Sequence, residues 1–359
     1  MKFISEYRNS EHVSAIVNAI HQSSRRPIRL MEVCGTHTMA IERFGIRSLL
    51  PQNIELVSGP GCPVCVTSNR FIDHALALST NPEHIICTFG DLLRVPGSKS
   101  SLMLQRTSGA DIRITDSILA AIDIASAHPD KRIIFLSIGF ETTTPGIAAG
   151  ILKAKKLNLD NFFVLTSNKI MPPALHALIN EDIQIDGFLC PGHVSAITGT
   201  SIYDFIVRKY GIACIVSGFE PSDILTSILK LINQFENQAP SVLNEYKRVV
   251  RTEGNKKARA MTHEVFTTRD DWWRGLGNIA GSGLELREKY CEFKAESLPC
   301  VIEKTVEPKG CICGLILKGQ KRPSDCKLFE DPCSPANPIG ACMVSPEGTC
   351  HAHYKYAMN

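Results

Sequence analysis

The feature that most restricts the fold is a unit the chain repeats from Ile28 onward: a short β-rich apolar run, a loop of small or polar residues, then a helical pattern. Ile28 to Val33 leads into Cys34-Gly35-Thr36-His37-Thr38, and Ile54 to Val57 into Gly59-Pro60-Gly61-Cys62-Pro63-Val64-Cys65. His84 to Phe89 leads into Gly90-Asp91, Arg132 to Ile138 into Gly139-Phe140-Glu141-Thr142-Thr143-Thr144-Pro145, and Phe162 to Leu165 into Thr166-Ser167-Asn168-Lys169. Gly187 to Leu189 leads into Cys190-Pro191-Gly192-His193-Val194-Ser195, and Ala213 to Val216 into Ser217-Gly218-Phe219-Glu220. Strands that alternate with helices predict an α/β fold with parallel sheets and crossover connections. Every polar loop follows a strand, which is where such sheets bind ligands.

The chain length favours two small parallel-sheet α/β lobes over one large sheet. The expected first lobe is 1–165, with the N-terminal segment and the Cys34 and Cys62/Cys65 loops. The second is 166–300, with an amphipathic helix from Ser222 to Glu236 and mixed, charged helical pieces beyond it. The Trp272-Trp273 pair, before a Gly-rich turn, reads as packing. Beyond Glu307 cysteine, proline and glycine dominate and periodicity vanishes, so 301–359 is expected to be an irregular Cys-rich domain. A segment of that kind needs a staple other than a hydrophobic core, and a metal cluster supplies one.

A net charge of +3, with no dense Lys/Arg block, gives no field for nucleic-acid binding. No apolar stretch approaches the roughly 18 residues of a membrane span, and the polar Met1 to Ser10 predicts no signal peptide. The expected location is the cytoplasm. Fourteen cysteines are many for that reducing compartment, where clustered thiols are metal ligands or catalytic groups more often than disulfides. Cys87, Cys190 and Cys214 lie in apolar runs and read as small buried hydrophobes.

Six of the others, Cys311, Cys313, Cys326, Cys333, Cys342 and Cys350, fall in the proline-interrupted tail. A [4Fe–4S] cube takes four thiolates, and so does zinc. Zinc ribbons usually bring paired Cys-x-x-Cys knuckles, which this tail lacks, so the cluster is favoured; spacing alone leaves open which four bind. The second constellation is Cys34 with His37 plus Cys62 and Cys65, a set of thiol and imidazole donors suited to iron, zinc or copper. An oxidoreductase pair of thioredoxin type is the competing reading of Cys62 and Cys65. Glu141 and its threonines suit a carboxylate ligand, a proton acceptor or an anion cradle, against an ordinary helix cap. His193 is a second imidazole. No Walker or dinucleotide fingerprint is present.

Taken together, Cys34 to Ala40, Gly59 to Cys65, Gly139 to Pro145 and Pro191 to Ile197 resemble the signature blocks of the HypD family, in the same order and across nearly the whole chain. Those proteins are maturation factors for [NiFe]-hydrogenases. The family's cluster spacing, Cys-x14-Cys-x6-Cys-x16-Cys, maps onto Cys311, Cys326, Cys333 and Cys350. The resemblance then implies that Cys313 and Cys342 form a redox disulfide pair beside the cluster. It further implies a scaffold that, with HypC and HypE, assembles Fe(CN)2CO using redox-active thiols. Cys34, Cys62 and Cys65 would anchor iron or accept cyanide, while His37, Glu141 and His193 would line the cleft and manage protons. The competing class is an iron–sulfur thiol:disulfide oxidoreductase acting on a protein disulfide. The implied electron route, from the cluster through Cys313–Cys342 to Cys62–Cys65, requires the tail to fold back against the first lobe.

Overall fold

The computed structural model describes residues 5–181 and 183–356. It is an α/β protein with two parallel sheets and a separate two-stranded ribbon. Its strands are β1 (Ile28–Glu32), β2 (Ile54–Ser58), β3 (His84–Thr88), β4 (Ile112–Ile114), β5 (Arg132–Gly139), β6 (Phe162–Asn168), β7 (Gly187–Pro191), β8 (Ala213–Ser217), β9 (Val242–Asn244), β10 (Phe266–Trp273) and β11 (Gly277–Leu286). The first sheet runs β2-β1-β7-β8-β9 and the second β4-β3-β5-β6, with parallel pairing throughout. β3 and β8 are buried from end to end, and β5 in all but its first residue. That follows from their largely apolar sequences, because a parallel sheet is covered by helices on both faces. Cys87, Cys190 and Cys214 are fully buried in β3, β7 and β8.

The two sheets interleave along the chain. β1 and β2 start the first sheet, β3 to β6 form the second, and β7 to β9 return to finish the first. A division at residue 165 therefore separates β1 and β2 from their own sheet partners. The expected order of one lobe after the other does not describe the strand pairing. Register explains why: Leu30 to Glu32 pair on one side with Leu56 to Ser58 and on the other with Gly187 to Leu189. A central strand needs partners on both sides, and its second partner lies far along the chain.

Three elements go beyond the sequence reading. β4 and β9 are short additions at sheet edges, and β10–β11 is an antiparallel hairpin with a register irregularity between Arg269 and Asp271. The hairpin packs on β6 through a buried ion pair, Lys169 Nζ to Asp271 at 2.6 Å. Trp273 is fully buried and stacks on Phe140 at 5.7 Å, whereas Trp272 is half exposed, so packing describes only one of the two tryptophans.

The tail is irregular, with the short helices Cys313–Leu317 and Thr349–Tyr356 joined by turns. It is not a detached appendage. Thr349–Tyr356 packs on helix Gly35–Arg43, and the turn Ala341–Met343 packs on helix Pro63–Val66. Arg94 on the second-sheet side donates to the carbonyls of Pro335 (2.9 Å) and Val344 (3.1 Å). One core joins Val33 and Val57 to Leu136, Leu165, Ile316 and Met343, so both sheets and the tail exclude water together.

Candidate thiol centre

Sheet order brings the loops together. In the run β2-β1-β7-β8 the carboxyl ends carry, side by side, the Cys62/Cys65 turn, the Cys34/His37 loop, the His193 loop and Phe219. Cys34 caps helix Gly35–Arg43, and Cys62 caps Pro63–Val66, whose leading proline suits a first helical position. The two loops touch through backbone alone. Gly35 N–H donates to Gly61 O at 2.9 Å, and a Cβ on Gly61 would lie 2.3 Å from Cys34 N. Only glycine permits so close an approach.

Cys34, His37, Cys62 and Cys65 are all buried, and His193 is exposed. Burial pushes the Cys34 thiol up to about 12, with Glu347 and Glu32 adding to the rise. Glu32 is fully buried; it accepts from Cys34 N–H at 3.1 Å and from the Thr38 hydroxyl at 2.6 Å. Burial raises it to about 7 against those bonds. Glu347 reaches in from the tail and accepts from the Thr36 hydroxyl at 2.6 Å. Neither glutamate stood out in the sequence. Glu32 ends an apolar strand, and Glu347 reaches the site only through the return of the tail.

His37 is held in one tautomer. Its Nε2 lies 2.9 Å from Gly218 O, and a carbonyl can only accept, so Nε2 carries the hydrogen. Nδ1 is then a bare lone pair, buried and without a partner among the described residues. Burial lowers the imidazole to about 4, so it is neutral at physiological pH. Phe219 lies between two imidazoles, 4.8 Å from the His37 ring and stacked at 4.2 Å on His193.

The tail adds sulfur to sulfur. The Cys65 thiol interacts with Cys342 and Cys62, and the Cys342 thiol with Cys313, Cys350 and Cys65. Hydrogen bonds from Cys313, Cys350 and Cys65 hold Cys342 below the usual thiol range. The matching bond to Cys342, then that to Cys62 and burial, raise Cys65. Beyond Cys342, a hollow is lined by Cys311, Cys313, Cys326, Cys333 and Cys350. Gly340 roofs it, where a Cβ would sit 2.7 Å from the sulfurs of both Cys311 and Cys313. All fourteen cysteines are free thiols. Among the described residues no three His, Cys, Asp or Glu side chains converge on a single-ion site.

Glu141 stands elsewhere. It follows β5 of the second sheet and faces a separate cavity with Thr144, Thr198, Arg259, His263 and Arg287. Its Oε1 accepts from Met171 N–H at 2.9 Å, Oε2 is buried without a partner among the described residues, and burial raises it to about 7. The expected grouping of Glu141 with His37 and His193 thus joins residues from two different sheets.

Residues 11–357 match the HypD family, whose description is hydrogenase formation hypA family. The chain belongs to the HypD family. A HypD hydrogenase maturation factor of Cupriavidus necator is 44% identical over 368 residues, covering 99% of this chain and 97% of that one. HypD2 of Bradyrhizobium diazoefficiens is 42% identical with the same coverage, and HypD of Azotobacter vinelandii is 42% identical over 367 residues, again covering 99% and 97%. The four loops on which the sequence resemblance rested are the strand ends just described, three of them on the first sheet and the Glu141 loop on the second. No helix among the described residues is long and apolar enough to cross a membrane.

Proposed function

We propose that the chain is a hydrogenase maturation factor: the scaffold on which, with a HypC-type chaperone and HypE, the Fe(CN)2CO group of [NiFe]-hydrogenases is assembled. The observation that carries this is the continuous run of thiols from the strand-end loops, Cys62 and Cys65, through Cys342 into the five-thiol hollow. A [4Fe–4S] cluster suits that hollow, because its donors are all sulfur and Gly340 leaves the sulfurs of Cys311 and Cys313 uncrowded. Cys311, Cys326, Cys333 and Cys350 would hold it, and when bound it supplies single electrons.

The chain's own residues do the rest. Low-spin iron carrying cyanide and carbonyl is soft cargo that thiolates hold well. Cys34, Cys62 and Cys65 are the anchoring or cyanide-accepting thiols, and Cys34 with a cysteine of the chaperone would bridge the iron. Forming the Cys34 thiolate releases a proton, and Glu32 and Glu347 stand close enough to influence it. His37 Nδ1 offers a lone pair that the Gly218 carbonyl keeps in register. A Cys62–Cys65 disulfide is reduced by exchange: Cys342 thiolate attacks Cys65 sulfur and frees Cys62 thiolate. Cys313 thiolate then attacks Cys342 sulfur of the mixed disulfide and frees Cys65 thiolate. The net result is one dithiol regained at Cys62 and Cys65 and one disulfide formed at Cys313 and Cys342.

A plain thiol:disulfide reductase accounts for the sulfur line but gives no role to the bare, buried nitrogen of His37. Anaerobic purification with the chaperone separates the two readings. A scaffold carries infrared bands from cyanide and carbonyl stretching, together with iron and inorganic sulfide. A protein holding iron and sulfide without those bands, even when isolated from maturing cells, refutes the scaffold.

A further inference from the structure

Arg274 sits where β10 turns toward β11, and its side chain is almost wholly buried at 3% exposure. Its backbone N–H donates to Val66 O at 2.9 Å and its Nε to Thr67 O at 2.8 Å. Those bonds pin the turn to the helix that carries Cys65. The far end of the side chain is uncommitted. Nη1 and Nη2 are shielded from water and have no partner among the described residues.

The guanidinium lines a cavity with Cys311, Cys313, Gly314 and Gly340. The turn is clasped to that side of the tail, since a Cβ on Gly275 would lie 2.4 Å from Gly314 Cα. A guanidinium keeps its charge at any physiological pH. Buried without a counter-charge it is strongly unfavourable. The cavity's one carboxylate, Glu307, does not supply it, because it is exposed and accepts from Asn69 at 3.0 Å. Lys318, the other cation in the lining, is paired with Glu181. The other polar side chains lining the cavity are the thiols of Cys311 and Cys313 and the ring of Trp272.

We infer that Arg274 is the counter-charge of the thiolate-ligated centre held by the tail, and that it raises the reduction potential of that centre. The inference rests on reading the five-thiol hollow as a [4Fe–4S] site. Reduction adds one electron and no proton, so the centre becomes more negative. A fixed positive charge with unused N–H donors beside its sulfurs favours the reduced form. Arg274 acts as a positioning and tuning residue, not as a ligand.

The test uses the full chain purified anaerobically as wild type, R274Q and R274K, with iron and sulfide analysis and a potentiometric titration followed by visible absorbance. The expected result is a full cluster in all three, a lower potential in R274Q, and a value nearer wild type in R274K. Loss of the cluster from R274Q alone also supports a charge requirement. A fully loaded R274Q with unchanged potential overturns the inference, as does cluster loss from both variants, which would mark a packing role. Wild type lacking iron and sulfide would remove the cluster reading itself, and the inference with it.

Discussion

Replacing Gly61 by alanine tests whether backbone contact between two loops sets the thiol site. The added Cβ would stand 2.3 Å from Cys34 N, 2.4 Å from its Cα and 2.5 Å from its carbonyl carbon. Non-bonded carbon atoms rest at about 3.5–4.0 Å, so the loops must part by about 1 Å. All three atoms are backbone, and none can rotate aside. The Gly35 to Gly61 hydrogen bond and the Cys34 to Glu32 bond resist the move. Forcing a carbon into such packing costs about 1–3 kcal/mol, which lowers the melting temperature by about 2–10 °C for a chain of this size. A shift of about 1 Å in a reacting group costs about 100-fold in rate, so hydrogenase maturation should fall more than stability does. Gly146→Ala is the control, because its Cβ meets nothing within 4 Å and the residue is exposed on helix Thr144–Lys156. There alanine should stabilise by about 0.5–1 kcal/mol. Calorimetry and a maturation assay on both variants decide the matter. A Gly61→Ala protein that melts with wild type and matures hydrogenase at the wild-type rate refutes the contact argument.

Cys342→Ser should keep iron and sulfide yet block electron delivery to the strand-end pair. After oxidation and anaerobic treatment with dithionite, alkylation and mass spectrometry should find Cys62 and Cys65 labelled in wild type and unlabelled in the variant; equal labelling rules out Cys342 as the junction. Glu141 gives a pH prediction. Its folded value of about 7 lies above the ordinary 4.5, so its contribution to stability is complete below pH 4.5 and is lost as pH rises through 7. The loss is about 1–3 kcal/mol, since each pKa unit is worth about 1.4 kcal/mol and the side chain is partly exposed. Glu141→Gln should flatten denaturant midpoints between pH 5 and pH 8, and an unchanged slope would show that burial does not govern this carboxyl.

What was legible in the sequence was whatever a short window encodes. The strands from β1 to β8, apart from β4, are apolar runs followed by punctuated loops, and they lie where the pattern places them. β4 and β9 have three residues each, too few to carry a period. In β10 polar residues alternate along an exposed ribbon, a pattern that reads equally well as a charged helical piece. Pairing partners are long-range, so the interleaving of the sheets was hidden. With it was hidden the fact that Cys34, Cys62 and His193 share one sheet edge while Glu141 belongs to the other. Glu347, Arg274 and the bare nitrogen of His37 had no local signal at all. Each acquires its role from a neighbour more than a hundred residues away, Thr36, Thr67 and Gly218 respectively.

On the proposed reading, the return of the tail restricts which partners the strand-end thiols can exchange with. Cys65 and Cys342 are both fully buried, and Cys62 nearly so. A disulfide among them is therefore out of reach of small soluble thiols, which must contact a sulfur to exchange with it. Its redox state can change quickly only through a neighbour already in contact, and the tail thiols hydrogen-bonded to Cys342 are Cys313 and Cys350. Burial that would silence an ordinary redox thiol here isolates one sulfur line from the bulk pool. On the proposed reading, that isolation lets a reducing centre in the tail set the state of Cys62 and Cys65 independently of the solvent. It follows that free glutathione should not restore dithiol to an oxidised Cys342→Ser variant while the fold is intact, and should do so once denaturant opens the tail. Rapid reduction of the native variant by glutathione would show that the line is open to solvent.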